Sequence, residues 1–62
     1  MSPNEYREFA VLLYRAAKAG DAISSFYISH GDTSAGEGWK EWAARMKKNA
    51  DGNVEKAKQL GG

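Results

Sequence analysis

The absence of cysteine most limits what this chain can fold into, because the chain is only 62 residues long. A domain of this size buries about 60% of the surface that its unfolded chain exposes. Small domains commonly add disulfides or a zinc site held by thiolates, and a chain without cysteine has neither. We therefore expect a single domain over residues 1–62, with 61–62 as a frayed tail, stabilised by helix packing or by a partner that completes the core.

The charge of the chain is nearly balanced, with nine Lys and Arg against eight Asp and Glu and a net charge of +1. Such a balance gives little attraction to polyanions. The longest apolar run, residues 9–14, is far shorter than the roughly 20 residues that a membrane-spanning helix needs. The N-terminus also lacks the basic and apolar stretches of a secretory signal. These features predict a cytoplasmic protein that does not bind membranes.

The first residues carry several helix-start signals. Ser2 is a typical N-cap, Pro3 suits the first helical position, and Glu5 completes a capping box with Ser2. Apolar residues then recur with helical spacing, and Gly20 is a typical helix end. A helix over 3–19 is predicted.

Three more helical segments follow, over 22–30, 35–51 and 53–60. The first ends at Gly31, although the β-rich composition of 23–28 also permits a strand. A glycine-rich loop is expected from Gly31 to Gly38. It overlaps the start of helix 35–51, whose first turn is expected to be weak because of Gly36 and Gly38. Helix 53–60 is either separate or continuous with 35–51 through Gly52, since one glycine inside a helix costs only about 1 kcal/mol. The predicted fold is all-α, a three-helix or four-helix bundle, with these aromatic residues in its core: Tyr6, Phe9, Phe26, Trp39 and Trp42.

Catalytic groups are scarce. His30 is the one histidine, and no sequence motif joins it to a nucleophilic serine or threonine. The acidic residues are not spaced as a calcium-binding loop, and the Gly31–Gly36 spacing has Glu37 where a phosphate-binding loop needs lysine. The sequence therefore predicts a protein that is not an enzyme and has no cofactor or metal.

The outer side of the first helix is the most suggestive surface. It combines cations with an aliphatic and an aromatic residue, and we call it the basic face: Arg7, Val11, Tyr14, Arg15 and Lys18. Arginine and aromatic residues are enriched at protein interfaces, and Trp39 is a further candidate anchor. The expected function is protein binding by a small regulator, adaptor or inhibitor, a role common among small helical proteins, including phage-encoded ones. The partner would be a larger protein or a second copy of the chain.

Two alternative functions use other residues. Nucleic-acid binding would add Arg45, Lys47 and Lys48 to the cations of the basic face. Binding of a small anion or nucleotide would use the 31–40 loop, where helix N-terminal amides and a lysine come together. The residues for this second alternative are His30, Ser34, Gly36, Gly38 and Lys40.

Overall fold

The chain forms two long antiparallel helices. The structure, a computed structural model, describes residues 1–61. Helix α1 spans Pro3–Ser29 and helix α2 spans Thr33–Gln59, each 27 residues long. Residues 30–32 connect the helices, which lie side by side in a hairpin measuring 47 × 13 × 12 Å between Cα atoms.

The predicted three-helix or four-helix bundle is wrong. Residues 3–19 and 22–30 belong to one helix that passes through Gly20, and the strand alternative over 23–28 is wrong for the same reason. The alternative of a continuous helix through Gly52 is confirmed, because α2 runs unbroken to Gln59. Gly20 is buried against the other helix, so it serves interhelical packing and does not end a helix.

The ends of the helices follow local capping rules. The predicted capping box is confirmed, with Ser2 Oγ accepting from the Glu5 amide at 3.2 Å and Glu5 Oε1 accepting from the Ser2 amide at 2.8 Å. Gly31 has a φ of +88°, a left-handed conformation that favours glycine, and it follows the end of α1 as predicted. Helix α2 begins earlier than expected, because the Asp32 carboxylate caps it by accepting from the Ala35 amide.

Small residues recur every seven positions along the contact between the helices. Heptad positions are counted from Ala10 as position a in α1 and, separately, from Gly36 as position a in α2. From these residues onward, every position a within each helix is buried and small. The set is Ala10, Ala17 and Ser24 in α1 and Gly36, Ala43, Ala50 and Ala57 in α2. A seven-residue repeat is typical of supercoiled helix pairs. Here the repeat brings two helices together through side chains of minimal size.

The helices approach so closely that two positions have no space for a Cβ atom. A Cβ on Gly20 would lie 2.8 Å from the Trp42 ring and 3.1 Å from Ala43 Cβ. A Cβ on Gly36 would lie 2.4 Å from Ile28 Cγ1 and 2.9 Å from the Ser24 carbonyl oxygen. The buried Ser24 hydroxyl also donates to the Gly36 carbonyl at 2.6 Å. Glycine at these positions therefore sets the distance between the helices.

This close seam leaves the large apolar side chains outside the core. Among the described residues no large side chain is fully buried. The prediction of Phe9 and Phe26 as core residues is wrong, since they are 45% and 61% exposed, and Tyr6, Trp39 and Trp42 are half-buried. Neither helix is long and apolar enough to cross a membrane.

Candidate functional site

The large apolar residues lie mainly on one broad side of the hairpin. They occupy heptad positions c, d and g, which are adjacent around a helix. Between Tyr6 and Tyr27 the α1 residues at these positions carry no charge. We call this surface the apolar face: Tyr6, Phe9, Leu12, Leu13, Ala16, Ala19, Ile23, Phe26 and Tyr27 of α1, with Trp39, Trp42 and Met46 of α2.

One half of the apolar face contains an open groove between the helices, near the chain termini. Its volume is about 510 Å³, and we call it the terminal groove. Helix α1 supplies apolar walls, whereas α2 supplies a gap at Gly52, where an added Cβ would meet open space. The lining residues are Tyr6, Phe9, Leu13, Lys48, Asn49, Gly52, Asn53 and Lys56.

The other half of the apolar face, near the connection, carries the two tryptophans. Their rings meet edge to face with centroids 5.6 Å apart, and the Trp42 ring lies over Gly20. Nearby, the Phe26 and His30 rings stack with centroids 4.2 Å apart. His30 Nδ1 is 2.7 Å from the Phe26 carbonyl oxygen, which ties the histidine to the end of α1. This half of the face is aromatic, and it contains a hollow of about 290 Å³ lined by Ala35, Gly38, Trp39, Trp42 and Arg45.

The opposite side of the hairpin is polar and of mixed charge. A shallow hollow there contains Asp21 and Asp51 together with three lysines, Lys40, Lys47 and Lys48. The Tyr14 hydroxyl donates to Asp51 Oδ1 across the two helices. This hydrogen bond to the carboxylate raises the pKa of Tyr14 above 10, so any stabilisation that the bond contributes is present below pH 10 and is lost at higher pH.

The predicted basic face falls on this polar side. Val11, Arg15 and Lys18 are exposed, whereas Tyr14 is engaged with Asp51, and Arg7 donates to Asn4 Oδ1 at 2.9 Å. The additional candidate Trp39 lies on the apolar face, away from these residues. The basic face as a binding surface stays a prediction.

The cations of α2 that were proposed for nucleic-acid binding do not all lie on one surface. Lys47 and Lys48 line the mixed-charge hollow, and Arg45 lies beside Trp39 and Trp42. Nucleic-acid binding by Arg45, Lys47 and Lys48 stays a prediction.

The residues proposed for anion binding lie at the connection and in the first turns of α2. There is no glycine-rich loop here, because α2 already includes Ser34, Gly36, Gly38 and Lys40. Gly36 is buried, and the Asp32 carboxylate already accepts from an N-terminal amide of the helix. Within residues 1–61 no group of three His, Cys, Asp or Glu side chains could hold a metal ion. Anion binding at these residues stays a prediction.

Comparisons with protein families, curated proteins and solved structures found no match. The function of this chain is therefore inferred from its own surface. Sequence reasoning missed the apolar face because the helix was expected to stop at Gly20, which separated residues 9–17 from residues 22–30. The signal that could have found it is a second apolar heptad series in α1, continuing unbroken through Ala19 to Phe26.

Proposed function

We propose that this chain is a non-catalytic protein-binding module whose binding surface is the apolar face. The observation that carries the proposal is the exposure of large apolar side chains on this face, with Leu12 59% and Phe26 61% exposed. Contiguous apolar surface of this kind is typical of binding sites. The face also contains half-buried tryptophans and tyrosines, and these residue types are enriched among the anchors of protein interfaces.

The size of the exposed surface supports the same proposal. The hairpin exposes 4372 Å², whereas a compact monomer of this length would expose about 3,950 Å². Its radius of gyration is 14.1 Å, against about 10.6 Å for a compact domain of 62 residues. A pair of helices whose fully buried residues are all small gains little from burial, so covering the apolar face would add stabilisation that the hairpin lacks.

Two adjacent residues of α1 allow a matched test. Leu12 lies on the apolar face and Val11 on the basic face, 100° apart around the helix, and both are exposed. We expect Leu12→Glu to abolish binding to a partner polypeptide and Val11→Glu to retain it, with the same helical circular dichroism for both variants. The measurement is affinity capture from nuclease-treated source-cell lysate, with native copies of the chain counted among the captured proteins.

The result that contradicts the proposal is equal recovery of captured proteins by the wild type and both variants, or no recovery by any of them. Loss of capture by Val11→Glu alone would instead assign binding to the basic face. The double reversal Arg7→Glu and Arg15→Glu checks that assignment independently, because it changes the charge of the basic face and leaves the apolar face intact.

A further inference from the structure

We propose that the occupant of the apolar face is a second copy of this chain, packed antiparallel about a two-fold axis to form a four-helix bundle. This inference rests on the proposed function and names the partner. It stands on two features of the molecule, the residue order along the outer side of α1 and the position of the tryptophans relative to the terminal groove.

The outer seam of α1 is a second heptad series, at positions g and c. Its residues are spaced alternately by three and four: Phe9, Leu12, Ala16, Ala19, Ile23 and Phe26. Sustained spacing of this kind is typical of a helix that packs along another helix. From 100° per residue, this seam lies about 110° around α1 from the seam that contacts α2. A helix in a four-helix bundle needs two contact seams at nearly a right angle.

The outer seam has the same order of residue classes in both directions. From either end it runs aromatic, aliphatic, small, small, aliphatic, aromatic. An antiparallel copy centred between Ala17 and Lys18 therefore sets Phe9 opposite Phe26 of the other copy, and Leu12 opposite Ile23. At the centre, Ala16 and Ala19 allow the two α1 helices to approach closely. A two-fold interface requires this kind of self-complementarity.

The same axis relates the aromatic half of the face in one copy to the terminal groove in the other. Gly20 of α1 lies level with Ala43 of α2 in the hairpin. Because the helices are antiparallel, the centre of the outer seam, between Ala17 and Lys18, lies level with the Arg45–Met46 peptide of α2. Rotation about an axis at that level carries Trp39 to the level of Gly52 in the other copy, and Trp42 to the level of Asn49. Both target residues line the terminal groove. The tryptophans of each copy thus lie level with the terminal groove of the other.

The dimensions of the hairpin agree with a stable dimer. A face 47 Å long and 13 Å wide between Cα atoms has a footprint of roughly 600 Å² per copy, or about 1,200 Å² for two, which is the lower end of specific interfaces. The acidic residues of the helix interiors lie on the polar side, so the proposed interface buries no carboxylate. The cations Arg45 and Lys56 lie on the α2 part of the face and are exposed, and their long side chains allow the charged ends to stay in water.

The first test is the oligomeric state of the full chain by sedimentation equilibrium and light scattering. We expect a dimer for the wild type and for Val11→Glu, and a monomer of unchanged helical content for Leu12→Glu. A wild type that stays monomeric overturns the homodimer, as does equal behaviour of the two variants. If that monomer binds anionic phospholipid vesicles, the face belongs to a membrane surface, which also overturns the proposal.

The second test fixes the direction of packing, and the lack of native cysteine makes it unambiguous. In the proposed dimer, residue 9 faces residue 26 of the other copy, whereas the two copies of residue 9 are about 25 Å apart along the axis. We expect Phe9→Cys and Phe26→Cys each to remain uncrosslinked under mild oxidation, and their equimolar mixture to form a disulfide-linked pair. Self-crosslinking of either single variant, or no crosslink in the mixture, overturns the antiparallel arrangement.

The outcomes of these experiments distinguish a failure of the homodimer from a failure of the proposed function. A chain that is monomeric alone, but captures another protein through Leu12 and not Val11, overturns the homodimer and leaves protein binding by the apolar face in place. A monomer that captures nothing contradicts both.

Discussion

At the scale of single residues, two glycines close together in α2 have opposite roles. Gly36 is buried, and an added Cβ would strike Ile28 and the Ser24 carbonyl, whereas Gly38 has no atom within 4 Å of that position. Both lie inside the helix with ordinary φ angles. The structure thus separates glycine that is required for packing from glycine that only lowers helix stability.

We predict that Gly36→Ala lowers the free energy of unfolding by about 1–3 kcal/mol, because the backbones of the helices must move apart. Gly38→Ala should raise it by about 0.5–1 kcal/mol, because alanine is a better helix former and meets no neighbour. Urea denaturation measures both values, with Leu12→Glu as the parent chain so that self-association does not contribute. A loss of stability with Gly38→Ala, or no loss with Gly36→Ala, would contradict the proposed basis of the close approach.

At the scale of helices, the seven-residue series of small side chains sets how α1 and α2 pack. Ala43, Ala50 and Ala57 are at most 2% exposed, although alanine offers little apolar area to bury. Their function is to let the backbones approach, which leaves the large residues at positions d and g on the rim of the seam. The same series therefore creates both the hairpin and its uncovered apolar face.

The neighbours Ala43 and Ala44 test this role with the same substitution. Ala43 faces α1, whereas Ala44 is exposed on the polar side. We expect Ala43→Leu to destabilise the hairpin by about 1–3 kcal/mol through overpacking, and Ala44→Leu to change its stability by less than about 0.5 kcal/mol. Thermal unfolding monitored by circular dichroism measures the difference, and equal effects of the two leucines would argue against the alanine seam.

At the scale of the whole molecule, association and folding should be coupled. A dimer that unfolds to separate chains becomes more stable as protein concentration rises. From an unfolding entropy of about 2.1 cal/mol/K per residue, we predict that Tm rises by about 5 °C for each tenfold increase in concentration. Differential scanning calorimetry at several concentrations measures this shift. Leu12→Glu should unfold at a Tm independent of concentration, and a wild-type Tm that does not move would speak against assembly.

Part of this architecture could be predicted from the sequence. The all-α class, the N-cap of α1 at Ser2 and the end of α1 before Gly31 depend on local capping and helical spacing, which a sequence displays directly. The number of helices could not be predicted by the same rules. Gly20 and Asp21 resemble a helix end followed by an N-cap, and only the contact of Gly20 with Trp42 and Ala43 explains why the helix continues.

The candidate binding residues divide in the same way. Helical spacing alone indicated the basic face, because the charge of each residue and its position around the helix can be read from the sequence of one helix. The apolar face depends on which side of α1 the second helix covers, and α2 covers the side of Ala10 and Ala17, leaving Phe9 and Phe26 exposed. The sequence alone determined that this chain is helical, has no cysteine and is too short to bury a large apolar core. Only the tertiary structure decided that the small residues form the core and the large ones the surface, because backbone approach limits which side chains fit between two helices.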